Sequence, residues 1–289
     1  CNHPEVADFI DAKKNTDKLE GCNISVRCDG DFIKNNPLMR KLAKNNGDYA
    51  EPGILYWDHI NDYNLLSEYI KNGDFEYAGV NPCAEEPLPA GGSCLLGAIN
   101  LSEYINQEFT EYAWFDYEVF RKDVKIAVRA LNEVLDEGLE LHPLEMQRNT
   151  VGDWRQIGLG IMGFADALIK MGISYGSKDS LELIDEIGIT LNEAGLEASA
   201  ELAEEFGSFE YCDTDMIIDS SFMAHIGNDH VLELISNFGL RNSQLFTIAP
   251  TGSISTMLGV SGGVEPLFDV EYTRTTKSLH GEDRTYKVK

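Results

Sequence analysis

Basic residues are scarce. Only 23 Lys and Arg stand against 49 Asp and Glu in 289 residues, a net charge of −26. That balance argues against non-specific binding to nucleic acid or to anionic membranes, both of which need positive surface. Any phosphate site has to rely on backbone N–H groups, hydroxyls and helix dipoles rather than on basic clusters. Cysteine is also sparse, with six in the whole chain. No CxxC pair and no Cys/His cluster of zinc spacing occurs, so neither a disulfide scaffold nor a zinc module is expected. His59, His142 and His230 are isolated from one another and are not expected to be metal ligands. There is no apolar run of membrane-span length and no signal-peptide pattern. A cytoplasmic protein with reduced thiols is expected. Internal repeats, low-complexity stretches and long linkers are absent too. With 43% hydrophobic content the chain can bury a sizeable core, and it reads as one piece of one large α/β domain.

Several segments carry a clear period. Over 4–14, Val6, Phe9 and Ile10 share a helical face, with Pro4 suited to the first turn. Residues 22–26 read as a short buried strand. The stretch 118–137 predicts an amphipathic helix with Val124, Ala127, Val128, Leu131, Val134 and Leu135 in one stripe, stopped at Gly138. A second long helix is predicted over 180–206, with Ile184, Ile187, Leu191, Ala194, Ala198, Leu202 and Phe206 inward. Its acids Glu193, Glu197, Glu201, Glu204 and Glu205 are expected on a solvated face. The Gly-rich run 156–172 reads as helical. Gly158, Gly160 and Gly163 spell G-x-G-x-x-G, but a βαβ context for dinucleotide binding is not evident, and close helix packing accounts for the spacing.

The richest stretch is Asn81-Pro82-Cys83-Ala84-Glu85-Glu86-Pro87-Leu88-Pro89-Ala90-Gly91-Gly92-Ser93-Cys94. An amide, a thiol and a carboxylate stand at alternate positions, Asn81, Cys83 and Glu85. In extended backbone they would point to one face and converge on one small substrate. A second thiol, Cys94, follows eleven residues after Cys83, past a Pro/Gly-rich turn. Taken singly, each Cys could be a small buried hydrophobe. Near the C-terminus, 245–249 reads as a strand leading into Pro250-Thr251-Gly252-Ser253-Ile254-Ser255-Thr256. Hydroxyls and free N–H groups at a helix start suit a diphosphate. An ordinary N-cap by Thr251 or Ser253 accounts for the same residues. No Gly-Lys-Ser/Thr is present, so this is not a P-loop.

The finger stretch resembles the signature of the large, catalytic subunit of ribonucleotide reductases. It is nearest to the adenosylcobalamin-dependent class, with its Asn-Pro-Cys-Gly-Glu-Gln-Pro-Leu followed by Gly-Ser-Cys-Asn-Leu-Gly. This chain departs at Ala84, Glu86 and Leu95, none of which is assigned chemistry. Other blocks are similar in the same order: His3-Pro4-Glu5-Val6, then Asn23-Ile24-Ser25-Val26, then 51–61 with His59 for the usual Thr, then 157–168. Last comes Ala249-Pro250-Thr251-Gly252-Ser253-Ile254-Ser255 with Gly263-Val264-Glu265-Pro266, similar to the family's phosphate loop. The likeness is weak over 104–150 and 174–240.

The resemblance implies a portion of the family's ten-stranded α/β barrel, with the finger loop through its centre, spanning 1–289. It implies thiyl-radical reduction of a ribonucleoside di- or triphosphate to a deoxyribonucleotide, for DNA replication. Cys83 would carry the radical, Glu85 would take the 3′-OH proton and Asn81 would hold the ribose hydroxyls. Cys94 would be one half of the reducing dithiol; none of Cys1, Cys22, Cys28 or Cys212 suits its partner's context. Thr251, Gly252, Ser253 and the Ile254 N–H would bind substrate phosphates. The implied cofactor is adenosylcobalamin, with no metal on this chain; the alternative is a class whose radical comes from a separate metal-containing subunit. A thioredoxin- or glutaredoxin-type reductant, a dNTP or ATP effector and a homodimer are the implied partners.

The chain starts at Cys1 rather than Met and is expected to be an internal fragment, without the effector and redox-cysteine region or the C-terminal thiol tail, and inactive alone. A leading Cys is also what an intein leaves behind. A non-catalytic nucleotide-binding remnant and a glycyl-radical enzyme are the rival readings.

Overall fold

The computed structural model describes residues 1–14, 19, 21–226, 228–269, 271–276 and 284–288. The first third is built from α1 (Val6–Ile10), β1 (Ser25–Cys28), α2 (Gly30–Asn35), α3 (Leu38–Tyr49), β2 (Gly53–Tyr56), α4 (Trp57–Asp62) and α5 (Ser67–Asn72). β1 and β2 are parallel, Val26 opposite Ile54. The helices between them close a small core of Ile10, Val26, Cys28, Phe32 and Leu42. The strand starts at Ser25, three residues later than predicted, and Phe9 of α1 is exposed rather than inward.

The central part holds β3 (Gly79–Val80), β4 (Pro87–Leu88), β5 (Leu96–Asn100), β6 (Ile105–Asn106), β7 (Trp114–Phe115), α6 (Tyr117–Leu139), α7 (Glu145–Trp154), β8 (Gly158–Met162) and α8 (Phe164–Met171). Beyond lie α9 (Lys178–Phe206), α10 (Thr214–Ile218), α11 (Met223–Ile226), α12 (Asp229–Phe238), α13 (Gly252–Leu258), and the antiparallel pair β9 (Tyr272–Thr276) and β10 (Arg284–Val288). No helix among the described residues is long and apolar enough to cross a membrane.

β5 and β8 are the heart of the larger core. They run parallel, Ala98 opposite Gly160, with α6 and α7 in the connection between them. Such a crossover is what parallel pairing requires. All five β8 residues are buried, as befits a strand covered on both faces. The segment 244–247 runs along the other edge of β8: Ile157 N–H donates to Gln244 O, Leu159 N–H to Leu245 O, and Thr247 N–H to Leu159 O. The strand expected over 245–249 is therefore extended, but its ladder is a single bridge at Phe246.

The 156–172 run is not one helix. Gly158 and Gly160 lie in β8 because its neighbour passes too close for a side chain: a Cβ on Gly160 would sit 2.2 Å from Thr247 O. Gly163 then turns the chain into α8 with φ +71°. The G-x-G-x-x-G spacing records two close strand contacts and one left-handed turn, not helix packing and not a dinucleotide loop.

α6 starts at an Asp116 cap, whose carboxylate accepts from Val119 N–H. It buries Phe120, Val124, Val128, Leu131 and Leu135, each worth about 1.5–3 kcal/mol. Val134 is exposed, and the helix continues through Gly138 to Leu139. α9 carries its core stripe as predicted up to Leu202, but Phe206 is exposed. Its acids are not simply solvated. Arg121 pairs with Glu193 and Glu197, Lys125 with Glu197 and Glu201, and Arg129 with Glu205. Glu197 is 5% exposed, and two cations of α6 make that burial tolerable.

Candidate active site

The finger sits between β3 and β4. These strands are antiparallel, Gly79 opposite Leu88 and Val80 opposite Pro87, so 81–86 is the loop of a hairpin. The expected extended backbone is absent. Ala84 N–H donates to Asn81 O across 2.9 Å, and Ala84 is left-handed at φ +67°. The Asn81 side chain explains the turn: Oδ1 accepts from Glu86 N–H at 2.9 Å, while Asn81 N–H donates to Glu86 O at 3.2 Å. This is a local side-chain-to-backbone bond outcompeting the ladder. Asn81, Cys83 and Glu85 therefore do not share one strand face.

Each residue has its own setting. Asn81 keeps only its NH₂ group for a ligand. Cys83 is exposed at the tip, beside Pro82, whose carbonyl accepts from Asn23 Nδ2 at 2.9 Å. Glu85 points inward: its Oε2 is buried without a hydrogen-bond partner. It lines a cleft of about 420 Å³ together with His59, Tyr63, Tyr77, Gln244 and Phe246. That volume lies within the range of small-molecule sites. Thr247 Oγ1 donates to Glu85 O at 2.6 Å, fixing the turn to the segment along β8.

The 243–246 wall of this cleft is held from behind. The amides of Asn242 and Asn132 bond each other reciprocally at 3.0 Å, and Asn242 Nδ2 also donates to Arg155 O at 2.8 Å. Gln244 Oε1 accepts from Tyr77 OH and from Gln156 Nε2, each at 3.3 Å.

Cys94 is exposed and belongs to a second cavity, of about 330 Å³, with His142, Gln156, Ser93 and Leu141. Glu86 lines neither cavity: it is 0% exposed, and both its oxygens lack hydrogen-bond partners. Burial first, and then the Glu85 charge, push the Glu86 carboxyl up to about 7, with the thiol offsetting part of this. Burial, then Glu86 and Glu85, push the Cys94 thiol up to about 12.

Thr251, Gly252, Ser253 and Ile254 lie at the start of α13 and do not line either cavity. Thr251 is left-handed, at φ +51°, and caps no N–H of α13; its Oγ1 accepts from Gly263 N–H at 2.9 Å instead. That bond ties the loop to 261–263, which docks on α8 through Ser261 N–H donating to Asp166 Oδ2 at 2.7 Å. The N-cap reading of Thr251 is thereby corrected. Among the described residues no group of three His, Cys, Asp or Glu could hold a metal ion.

Comparison with known proteins identifies the family of the chain. The model of the ribonucleotide reductase barrel domain matches residues 26–288. The chain belongs to the ribonucleotide reductase family. A vitamin B12-dependent ribonucleoside-diphosphate reductase of Thermoplasma acidophilum is 35% identical over 98% of this chain and 36% of its own length. One from Mycobacterium tuberculosis is 29% identical over 96% of this chain and 40% of its own. The chain thus spans little more than a third of these relatives. Among solved structures, the Actinobacillus ureae class Id ribonucleotide reductase alpha subunit superposes with a TM-score of 0.68 at 23% identity, over 92% of this chain and 47% of that one. The fold is accordingly a portion of the reductase α/β barrel, with β1–β2 and β5–β8 among its parallel pairs.

The reductase finger was legible as a motif, but two of its features were not. Glu86 stood out only as an acid where the resembling signature has Gln, and nothing in the spacing indicates its burial. The cleft walls His59, Tyr77 and Gln244 come from three separate segments and carry no local signal.

Proposed function

We propose that this chain forms the catalytic barrel of a ribonucleotide reductase, which replaces the ribose 2′-OH of a nucleoside di- or triphosphate by hydrogen. The observation that carries this reading is Glu85: a carboxylate with one buried, unpartnered oxygen, lining a ligand-sized cleft, two residues from an exposed thiol. The ribose sits at the mouth of the cleft, its 3′-OH toward Glu85 and C3′ toward Cys83. The Asn81 NH₂ group fixes the hydroxyls. The Cys83 sulfur radical takes the 3′-hydrogen, and Glu85 takes the 3′-OH proton. The 2′-OH leaves as water with a proton from a dithiol that includes Cys94. That dithiol also supplies the hydrogen of the new C2′–H bond, giving two electrons in all and becoming a disulfide; Glu85 returns its proton to the 3′-oxygen and Cys83 its hydrogen to C3′. Thr251, Gly252, Ser253 and the Ile254 N–H hold the phosphates.

The exposed tip of Cys83, with Pro82 and Asn23 around it, suits a radical source arriving from outside the turn. When bound, adenosylcobalamin supplies the radical that makes the Cys83 thiyl. The names of the relatives from Thermoplasma and Mycobacterium favour this source. A second reading, a radical from a metal-containing partner subunit, is favoured by the ribonucleoside-diphosphate reductase subunit alpha of Chlamydia pneumoniae, 30% identical over 87% of this chain. The 289 residues alone do not turn over, since they match 36% of the Thermoplasma protein's length. A cytoplasmic location, a thioredoxin- or glutaredoxin-type reductant, a dNTP or ATP effector and a homodimer complete the reading.

The test is ribonucleotide reduction by the complete gene product with adenosylcobalamin and a dithiol, and no second protein. Activity establishes the cobalamin class. Rescue only by a metal-loaded subunit assigns the two-subunit class. Failure of both leaves a nucleotide-binding remnant and overturns the proposal.

A further inference from the structure

The cleft that Glu85 lines has a second polar group free of protein partners among the described residues. Gln244 comes from the segment along β8, and its main chain is fixed there, since its carbonyl accepts from Ile157 N–H at 3.0 Å. Its side-chain Oε1 accepts twice, from Tyr77 OH and from Gln156 Nε2, each at 3.3 Å. Tyr77 is 3% exposed, and its hydroxyl has no other partner among the described residues. A buried hydroxyl needs an acceptor, so this bond sets which end of the amide is oxygen. Turning the amide over would leave the Tyr77 O–H unpaired in the interior, at a cost of about 1–3 kcal/mol. The Nε2 end is therefore the donor left for a ligand, in a side chain that lines the cleft.

The order of groups along this segment says what meets that donor. Thr247 is level with Glu85, whose carbonyl accepts from its hydroxyl at 2.6 Å. The residues proposed for the phosphates begin four positions after Thr247, and Gln244 stands three positions before it. Extended chain advances about 3.3 Å per residue, so Gln244 lies roughly 10 Å from Thr247, on the far side from the phosphate residues along the chain. A nucleotide has the same order of parts: phosphates, ribose, base. With the ribose at Glu85, the base is the part that reaches Gln244. The wall beside it suits a flat ring. Tyr63 and Phe222 both line the cleft, with ring centroids 5.9 Å apart at 70°, and Tyr63 is 49% exposed.

We infer that Gln244 is a base contact: its amide N–H donates to an acceptor atom of the nucleobase, and Tyr77 and Gln156 hold the amide in that sense. The inference rests on the reading of the cleft as the ribonucleotide site. Because Oε1 is already taken twice, Gln244 offers donors only. It therefore favours a base edge with a carbonyl oxygen or a ring nitrogen over an exocyclic amino group. Glu85 acts on the ribose, and Gln244 sets which base edge is accepted behind it.

The test is equilibrium binding of three probes to the complete gene product. They are uridine diphosphate, ribose 5-diphosphate, which has no base, and a difluorophenyl ribonucleoside diphosphate, which keeps the shape of uridine diphosphate but has a ring that accepts hydrogen bonds poorly. The wild type should bind the difluorophenyl probe about three- to tenfold more weakly than uridine diphosphate, the loss of one hydrogen bond. Gln244→Met keeps the length and removes the amide. It should weaken uridine diphosphate by the same factor and leave the other two probes within about twofold. Tyr77→Phe, which frees the amide to turn, should weaken uridine diphosphate roughly two- to threefold and leave ribose 5-diphosphate unchanged. Equal weakening of uridine diphosphate and ribose 5-diphosphate in Gln244→Met overturns the inference, since it places the loss at the ribose or in the fold. So does a wild type that binds uridine diphosphate and the difluorophenyl probe alike, a result that needs no variant to fold. A wild type that binds none of the three sinks the ribonucleotide reading and this inference together, whereas tight binding of uridine diphosphate that ignores Gln244 sinks the inference alone.

Discussion

The Thr247 hydroxyl donates to the main-chain carbonyl of Glu85 across 2.6 Å, joining the finger turn to the segment that runs along β8. Thr247 is itself fixed, since its N–H donates to Leu159 O. The bond therefore references the position of Glu85 to a fully buried strand. Replacing the hydroxyl by a methyl keeps the shape and removes the donor. Thr247→Val should cost about 1–2 kcal/mol of stability and, in the complete gene product, lower kcat/KM for ribonucleotide reduction about tenfold, and Thr247→Ser should recover most of both. Steady-state kinetics and thermal unfolding of the three proteins decide this. Unchanged kinetics in Thr247→Val would show that the turn holds Glu85 without help.

The two exposed finger thiols should separate by the number of turnovers they permit. In the complete gene product, Cys83→Ala removes the sulfur at the tip and should abolish reduction while nucleotide still binds. Cys94→Ser should allow at most about one turnover, because the first product uses electrons that can no longer be replaced. Rapid-quench product counting against enzyme concentration measures both. Persistent reduction in Cys83→Ala would remove it from the central role.

What the sequence revealed and what it hid divide along physical lines. The stripe of Val124, Val128, Leu131 and Leu135 was legible because a helix repeats its contacts every turn. The sulfur, carboxylate and amide of the finger were legible as types in a spacing. Their geometry was not, because Asn81 spends its Oδ1 on Glu86 N–H and folds a stretch that alternation alone makes extended. The burial of Glu197 leaves no local sign because its counter-ions, Arg121 and Lys125, come from another helix. Gly158 and Gly160 give no local sign of a strand because the reasons for them, the Thr247 side chain against the first and the Thr247 carbonyl against the second, are remote in sequence.

Gly160 should be the least replaceable glycine of the core. A Cβ there would meet Thr247 O at 2.2 Å, a backbone atom that cannot rotate away. Gly160→Ala has to push the 244–247 segment off β8, breaking the bonds from Leu159 and Thr247 and displacing Glu85 with them. The expected loss is about 3 kcal/mol or more, as for overpacking that moves a backbone. Gly172→Ala is the useful contrast: it too is a glycine, but its strain is local, from φ +69°, with open space around it. Chemical denaturation of the two variants should show Gly160→Ala as much the worse. Equal losses would mean that the segment along β8 yields easily.

Stability should also carry the signature of Glu86. Its folded-state carboxyl is raised from 4.5 to about 7, first by burial and then by Glu85. The folded protein therefore holds this proton to higher pH than the unfolded chain does. Below about pH 4.5 both states are protonated and the residue costs nothing electrostatically. As pH rises through the window to 7, the unfolded chain releases its proton and the folded one resists, so stability falls. Above 7 the full penalty is present, up to about 3 kcal/mol for a shift of this size. Glu86→Gln removes the ionisation and keeps the volume, so it should match the wild type at pH 4 and exceed it at pH 8 by several degrees in Tm. The sign separates this from a packing effect, because a void or a clash would move Tm by the same amount at both pH values. A Tm difference that does not change between pH 4 and pH 8 would mean that Glu86 is not a titrating acid in the folded protein.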